Sequence, residues 1–436
     1  MTDPILTKAE SAWHVKAAKV MTGLFCMALF TSVALTNIAV MGLLLLAPFA
    51  WYDLYKTQQT TDSGTRFFFA LVITLCAWDV TSNLLAGYSM GLSLKALVHD
   101  MRTLGFVVLL WAIFANRCTA RFALWAIGIS VTTLAGVNLF LTLIGILQRG
   151  EYFTTQIHGM SHMSHMYGQA IVGLFFVLGQ IWIVRPSLSW RIAVPMTILV
   201  MSLFLASERR SGYLMLAAGF VVWGALNVTR LREGQNKLLM LLTLVGTLVV
   251  AVSSDIVQKR MAIGLLEFNE YFSMSPEQRA GVVGAVSTRL QFAATMIELV
   301  KQNNWFVGVG SLGFEAAFRI AAAHMGITPE ASITYNWGNP HNEYLYMLAT
   351  KGVVGLALYL AIFTQACRVA WVKTDEVQRI GLVMFVFLFM LSITTNSMMV
   401  DMEEGHFMML ILLLFLAPKS LRLTNTHNKK DLILKN

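Results

Sequence analysis

Apolar runs close to twenty residues long recur along nearly the whole chain, separated by short polar connectors. An α-helix needs about 20 residues to cross about 30 Å of hydrocarbon, so the pattern predicts membrane-spanning helices. They fall at about 20–36, 38–52, 67–87, 103–116, 122–146, 166–184, 192–206, 212–228, 238–253, 343–366, 380–398 and 407–418. The fold class is all-α: a polytopic membrane protein with about twelve transmembrane helices and one large helical loop. Residues 254–341 form that loop, polar but helically patterned. Ser275-Pro276-Glu277-Gln278 reads as an N-cap, a proline at the first helical position and a capping box. Ser287 to Gln302 then carries Leu290, Phe292, Ile297, Leu299 and Val300 among polar residues, an amphipathic helix suited to a membrane surface. The chain thus divides into residues 1–253 with nine helices, the loop domain 254–341, three further helices in 342–420 and a basic tail 421–436.

Composition removes the water-soluble alternative: 57% of residues are hydrophobic and 13% charged, too little polar surface for 436 residues in water. The net charge of +9 would suggest nucleic acid in a soluble protein. Here the basic residues punctuate the spans instead. Lys56 and Arg66, Arg117 and Arg121, Arg185 and Arg191, Arg230, Arg232 and Lys237, and Arg368, Lys373 and Arg379 occupy alternate connectors, the positive-inside pattern. That face is expected to be cytoplasmic and to hold both termini. Met1 to Lys19 is polar, with Lys8, Lys16 and Lys19 before the first apolar run, and reads as a cytoplasmic tail rather than a cleavable signal peptide. The opposite face receives the Asn37 turn, the Tyr88–Arg102 connector, His158–His165, Glu208–Ser211, the long loop and Asp401–His406. In a bacterial inner membrane this face is the periplasm. Cys26, Cys76, Cys118 and Cys367 lack CxxC spacing, so neither a disulfide nor a thiolate metal site is expected.

The loop meets the tenth span at Asn339-Pro340-His341-Asn342-Glu343-Tyr344-Leu345. Proline resists continuing a helix and asparagine caps one, so a helix is predicted to start right after His341, its positive dipole end facing the loop. Such a position favours the neutral imidazole, the form able to accept a proton. An interfacial histidine that only caps the helix is the plainer alternative. Glu208-Arg209-Arg210-Ser211-Gly212 sits between two apolar runs with little connector, which brings charges near membrane depth, where they face a cavity or a partner. A Glu208–Arg209 surface pair in an ordinary turn would still leave one arginine over. For Arg289, on the amphipathic loop helix, a headgroup contact or a solvated face competes with a chemical role.

Gly308-Val309-Gly310-Ser311-Leu312-Gly313 matches G-x-G-x-x-G but lacks the strand and βαβ context of a dinucleotide site. It reads as a flexible turn whose backbone N–H groups could touch a phosphate oxygen. His158, His162 and His165 share one helix face. Zinc or copper ligation is weighed there against hydrogen bonding at a polar groove, and no HExxH, acidic or cysteine ligand accompanies them. Asp79, near Ser82 and Asn83 in the third span, is either a proton or ion site or a structural hydrogen bond between helices.

Together these pieces resemble the O-antigen ligase and polysaccharide polymerase family of bacterial inner-membrane glycosyltransferases, most of all the O-antigen ligases. The resemblance covers about residues 200–360. Its landmarks are Ser207-Glu208-Arg209-Arg210-Ser211-Gly212 at the end of a span, Arg289 early in a loop helix, a Gly308-x-Gly310 turn, and His341-Asn342 with Leu345 before Gly352 and Gly355. The resemblance implies transfer of a glycan from undecaprenyl diphosphate to a sugar hydroxyl of lipid A-core on the periplasmic face, with membrane lipids but no nucleic acid as further partners. It further implies His341 as general base, with Arg210 and Arg289 clamping the departing diphosphate. Arg209, Asn342, His158, His162, His165, Gly308 and Gly310 are the accompanying substrate contacts. Guanidinium groups can grip phosphate oxygens where nucleotide-sugar enzymes use Mg²⁺, so no metal and no cofactor is expected. Two departures stand out. The Arg209–Arg210 doublet blurs which arginine carries over, Arg210 being favoured because Ser211-Gly212 follows it, and Thr350 stands where many members have an acidic residue. An O-antigen polymerase or a protein O-oligosaccharyltransferase would share the donor. A more distant alternative, an ion or metal transporter, predicts inverted repeats that the sequence lacks.

Overall fold

Backbone N–H and C=O groups have no water to bond in hydrocarbon, and a helix satisfies them within one segment. The computed structural model describes residues 12–57, 61–100, 102–147, 164–184, 189–206, 210–228, 255–279, 284–327, 340–373, 376–394 and 402–417, and every regular element among them is a helix. In chain order these are α1 Trp13–Ala28, α2 Val33–Lys56, α3 Ser63–Leu85, α4 Met90–Asp100, α5 Arg102–Ala115, α6 Arg117–Leu143, α7 Ser164–Val184, α8 Ser189–Leu205 and α9 Arg210–Leu226. The loop region supplies α10 Asp255–Ser273, α11 Pro276–Arg279, α12 Ala285–Gln302 and α13 Phe314–His324. Then follow α14 Glu343–Lys373, α15 Glu376–Ser392 and α16 Met402–Leu416.

Five helices are long and apolar enough to cross a membrane: Val33–Lys56, Ser63–Leu85, Arg117–Leu143, Met166–Val184 and Glu343–Val372. The bent pair formed by α4 and α5 makes a sixth if taken as one span, while α8, α9 and α16 are apolar but shorter. Length and composition among the described residues therefore establish five or six spans, fewer than the expected twelve. The expected span 238–253 lies outside the described residues. Two expected connectors also change. The first break falls at Leu29–Ser32 rather than Asn37, because Ser32 accepts from the Leu35 N–H at 3.4 Å and so caps α2, leaving Asn37 inside the helix. The Tyr88–Arg102 connector contains α4.

An apolar helix with no polar stripe belongs at the centre of a bundle. α16 fits: Phe407 to Leu416 are buried at every position, packed against α5 and α14, and Leu416 accepts at its carbonyl from the Trp111 indole at 3.0 Å. Interhelical polar bonds hold the surrounding bundle. The Tyr167 hydroxyl on α7 joins the Asn138 amide of α6 (3.2 Å) and the Ser202 hydroxyl of α8 (3.0 Å), and the Trp223 indole of α9 donates to Gln180 of α7 at 2.9 Å.

α7 and α15 run antiparallel. Gly173 leaves room for the Phe385 ring and Gly381 for the Val177 side chain, so the start of α7 lies beside the end of α15. Gly168 near the start of α7 in turn faces the backbone of Gly212 at the start of α9. In the loop region the capping box forms, Ser275 N donating to the Gln278 side chain at 2.9 Å and Gln278 N to the Ser275 hydroxyl at 3.4 Å. The Arg279 guanidinium stacks 5.2 Å over the Tyr271 ring; burial pushes the Tyr271 phenol up from its ordinary value, with Arg279 pulling the other way.

Candidate functional site

The start of α14 is built from Pro340, His341 and Asn342. Asn342 is the N-cap: its side-chain oxygen accepts from the Leu345 N–H at 3.0 Å. Its amide donates to the Thr394 carbonyl at 3.0 Å, Glu343 N donates to the Ile393 carbonyl at 3.0 Å, and the Tyr344 hydroxyl to the Met390 carbonyl at 2.8 Å. The first turn of α14 is thereby stitched to the end of α15. His341 has φ +54°, the only non-glycine residue with positive φ among the described residues. This left-handed conformation lets the chain turn sharply into the helix while histidine, unlike a β-branched residue, tolerates it. The imidazole is half-buried, 5.8 Å from the Phe292 ring at an interplanar angle of 30°.

Phe292 belongs to an aromatic chain that ties the loop to this helix. Its ring lies 5.8 Å from Phe318, which stacks on Phe314 at 5.5 Å, and Phe314 meets Tyr346 of α14 edge-on at 4.9 Å. Arg289 stands three residues before Phe292 on α12, hence on the same helix face one turn away. One guanidinium nitrogen donates to the Ala285 carbonyl at 2.9 Å. The helix that carries Arg289 is thus packed, through Phe292, against the turn that carries His341.

Arg210 is the first residue of α9. Because Gly212 lies against Gly168, and α7 begins where α15 ends, the starts of α7, α9 and α14 share one end of the bundle. Three helix N-termini, each a positive dipole end, converge there, and in α14 the Glu343 and Leu345 N–H groups are already bonded within the protein. His165 lies in the first turn of α7, at the same end. The side chains of His165 and Arg210 fall outside the described residues, as do Arg209, His158 and His162 altogether.

The Gly-x-Gly turn takes up a different task from the phosphate contact read from its spacing. α14 is broken at Gly352, with φ +65° and ψ −171°, a conformation essentially restricted to glycine. The break frees carbonyls that the loop backbone satisfies: Val309 N donates to Ala349 O and Gly310 N to Thr350 O, both at 2.9 Å, while Val353 N donates to Trp305 O at 3.0 Å. Gly308 N bonds to Asn304 O at 2.7 Å. Gly308 and Gly310 thus have their N–H groups engaged within the protein. Both have positive φ and lie so close to α14 and α3 that a side chain would strike the Thr350 backbone or Asn83.

The same junction holds an ion pair that sequence reasoning did not assemble. Lys351 Nζ lies 2.5 Å from an Asp79 carboxylate oxygen, both side chains fully buried, with the Tyr346 ring 6.0 Å from the ammonium. Trp78 donates its indole N–H to the Lys351 carbonyl at 2.7 Å, and Asn83 bonds the Ser311 hydroxyl at 3.0 Å and the Leu312 N–H at 3.1 Å. Asp79 is therefore paired across helices. The signal was present in the sequence: a lysine in the middle of an apolar helix needs a buried counter-charge. Among the described residues no group of three His, Cys, Asp or Glu side chains could hold a metal ion.

Residues 195–360 match the family model described as O-antigen ligase. The matched stretch runs from within α8, through Arg210, Arg289 and the Gly-x-Gly turn, to His341 and the broken helix. It implies an enzyme of glycan transfer, with lipid-linked glycan and membrane lipids as the molecules it meets. No curated protein sequence matches the chain.

Proposed function

We propose that this chain, whose residues 195–360 match the O-antigen ligase family model, moves O-antigen glycan from undecaprenyl diphosphate to a sugar hydroxyl of lipid A-core. The reaction takes place at the periplasmic face of the bacterial inner membrane, in a chain of about twelve spans with both termini cytoplasmic. The observation that carries this reading is the convergence of three helix N-termini with His341 and the Arg289 helix at one end of the bundle, all but the start of α7 inside the family-matched stretch.

The chemistry needs a base for the acceptor hydroxyl and cations for the charge growing on the leaving diphosphate. His341 takes the hydroxyl proton. The acceptor oxygen bonds to the anomeric carbon as the bond from that carbon to the diphosphate oxygen breaks, with inversion. Arg210 and Arg289 hold the departing diphosphate through paired N–H···O bonds, helped by the helix N-termini. The lipid tail of the donor lies between spans, so the donor reaches the site laterally from the bilayer.

Purified protein supplied with undecaprenyl diphosphate glycan and lipid A-core should yield glycan-extended lipid A-core. Product formed instead on a second carrier-linked glycan would make the chain a polymerase, and product on a pilin-like protein a protein O-oligosaccharyltransferase. Product on none of the three acceptors would overturn the reading.

A further inference from the structure

An apolar groove of about 640 Å³ opens between α6, α7, α8, α15 and α16, lined by residues such as Trp125, Leu174, Pro195, Phe385 and Phe407. Its charged residues are confined to one end, where Arg121 of α6, Arg191 of α8 and Gln378 of α15 line the wall, and Thr132 and Thr133 of α6 are the polar residues farther along. All three stand in the first two turns of their helices, so three helix N-termini and two guanidinium groups gather there, with Glu376 in the first turn of α15 as the acidic residue at the same end. This mouth is at the end of the bundle opposite His341. α14 runs from Glu343, two residues after His341, to Lys373, α15 starts at Glu376, and the beginning of α15 lies beside the end of α7. The groove is therefore separate from the candidate site.

Its length matches one leaflet. From Arg121 to Thr133 the lining follows α6 for twelve residues, about 18 Å at 1.5 Å per residue. Half of a hydrocarbon core of about 30 Å is about 15 Å. A chain entering at the arginine end thus reaches the bilayer midplane and stops. We propose that this groove is a binding site for an anionic phospholipid of the leaflet on the Arg121 side, its phosphate held by Arg121 and Arg191 and one acyl chain lying along α6 and α7. Charge selects the occupant. A zwitterionic headgroup brings its own cation to the arginines, whereas an anionic one brings none.

The test is native mass spectrometry of the full detergent-purified chain titrated with phosphatidylglycerol or phosphatidylcholine of identical acyl chains. Phosphatidylglycerol should bind at least about tenfold more tightly. Arg121→Gln with Arg191→Gln should abolish that preference, whereas Arg66→Gln with Arg368→Gln, removing two basic residues outside the groove, should keep it. A second variant probes the apolar wall. A Cβ added at Gly128 meets only Leu174, at 3.9 Å, and Gly128 lines the groove, so Gly128→Phe directs its ring into that space and should weaken phosphatidylglycerol binding about tenfold with Arg121 and Arg191 intact. Equal binding of the two lipids, a preference that survives loss of Arg121 and Arg191, or unchanged binding to Gly128→Phe would each overturn the proposal. None of these outcomes depends on glycan transfer, so the function proposed above stands or falls separately.

Discussion

Replacing Lys351 with methionine removes one half of an ion pair whose two side chains are fully buried. Asp79 would keep its carboxylate at membrane depth without a counter-charge. Breaking a buried pair from one side typically costs about 3–5 kcal/mol, far above the median of about 0–1 kcal/mol for an exposed pair. Replacing both partners by apolar residues of similar volume is instead close to neutral, because the desolvation penalty disappears along with the attraction. Lys351→Met alone should therefore lose about 3–5 kcal/mol of unfolding free energy, and Asp79→Leu with Lys351→Met should recover most of that loss. Titration with SDS in mixed micelles, followed by circular dichroism, measures all four members of the cycle. Single variants within about 1 kcal/mol of the parent, or a double variant that loses the sum of both, would refute the pairing argument. The double variant also separates structure from transport. If Asp79 belonged to an ion path, removing it would abolish function in a folded protein, whereas a structural pair leaves glycan transfer largely intact.

Gly352→Ala should cost about 1–3 kcal/mol in the same titration, since alanine disfavours this backbone conformation and its Cβ meets the Phe306 carbonyl. Asn342→Ala should cost about 1 kcal/mol through the lost cap, while Asn342→Asp, which keeps the accepting oxygen, should cost less. Arg289→Lys and Arg210→Lys should each reduce transfer in a radiolabelled-glycan assay although charge is conserved, because an ammonium lacks the planar two-donor fork. Full activity in both lysine variants would remove the clamp.

Sequence pattern reveals local features here far better than distant pairings. Apolar runs announce most helices, since a helix is the conformation that pairs the backbone of such a run in lipid, and the capping chemistry of Ser275–Gln278 and Asn342 needs only neighbours in the chain. The misplaced break at Asn37 follows from treating asparagine as a turn former, when the Ser32 cap fixes the start of α2. The Gly352 break is hidden because Lys351-Gly352-Val353-Val354-Gly355 also suits an unbroken helix. Only the backbone bonds between α14 and the loop, the Val309 and Gly310 N–H groups donating to α14 carbonyls and the Trp305 carbonyl accepting from Val353 N–H, reveal it. Asp79 and Lys351 are 272 residues apart, and each charge is conspicuous alone while their pairing is a tertiary fact. The likeness to O-antigen ligases was legible from motif order, and the family match covers the same stretch.

The account turns on His341 as the base. Transfer from undecaprenyl diphosphate glycan to lipid A-core should be measured for His341→Ala and His341→Asn, each checked for insertion and folding. Asparagine tolerates positive φ as histidine does, so it keeps the turn while removing the proton acceptor. Loss of general-base catalysis predicts a fall of about 10²–10⁴-fold in both variants. For the parent, activity should decline as pH falls and the imidazole is protonated. Near-parental transfer by a folded His341→Asn protein would contradict the central claim.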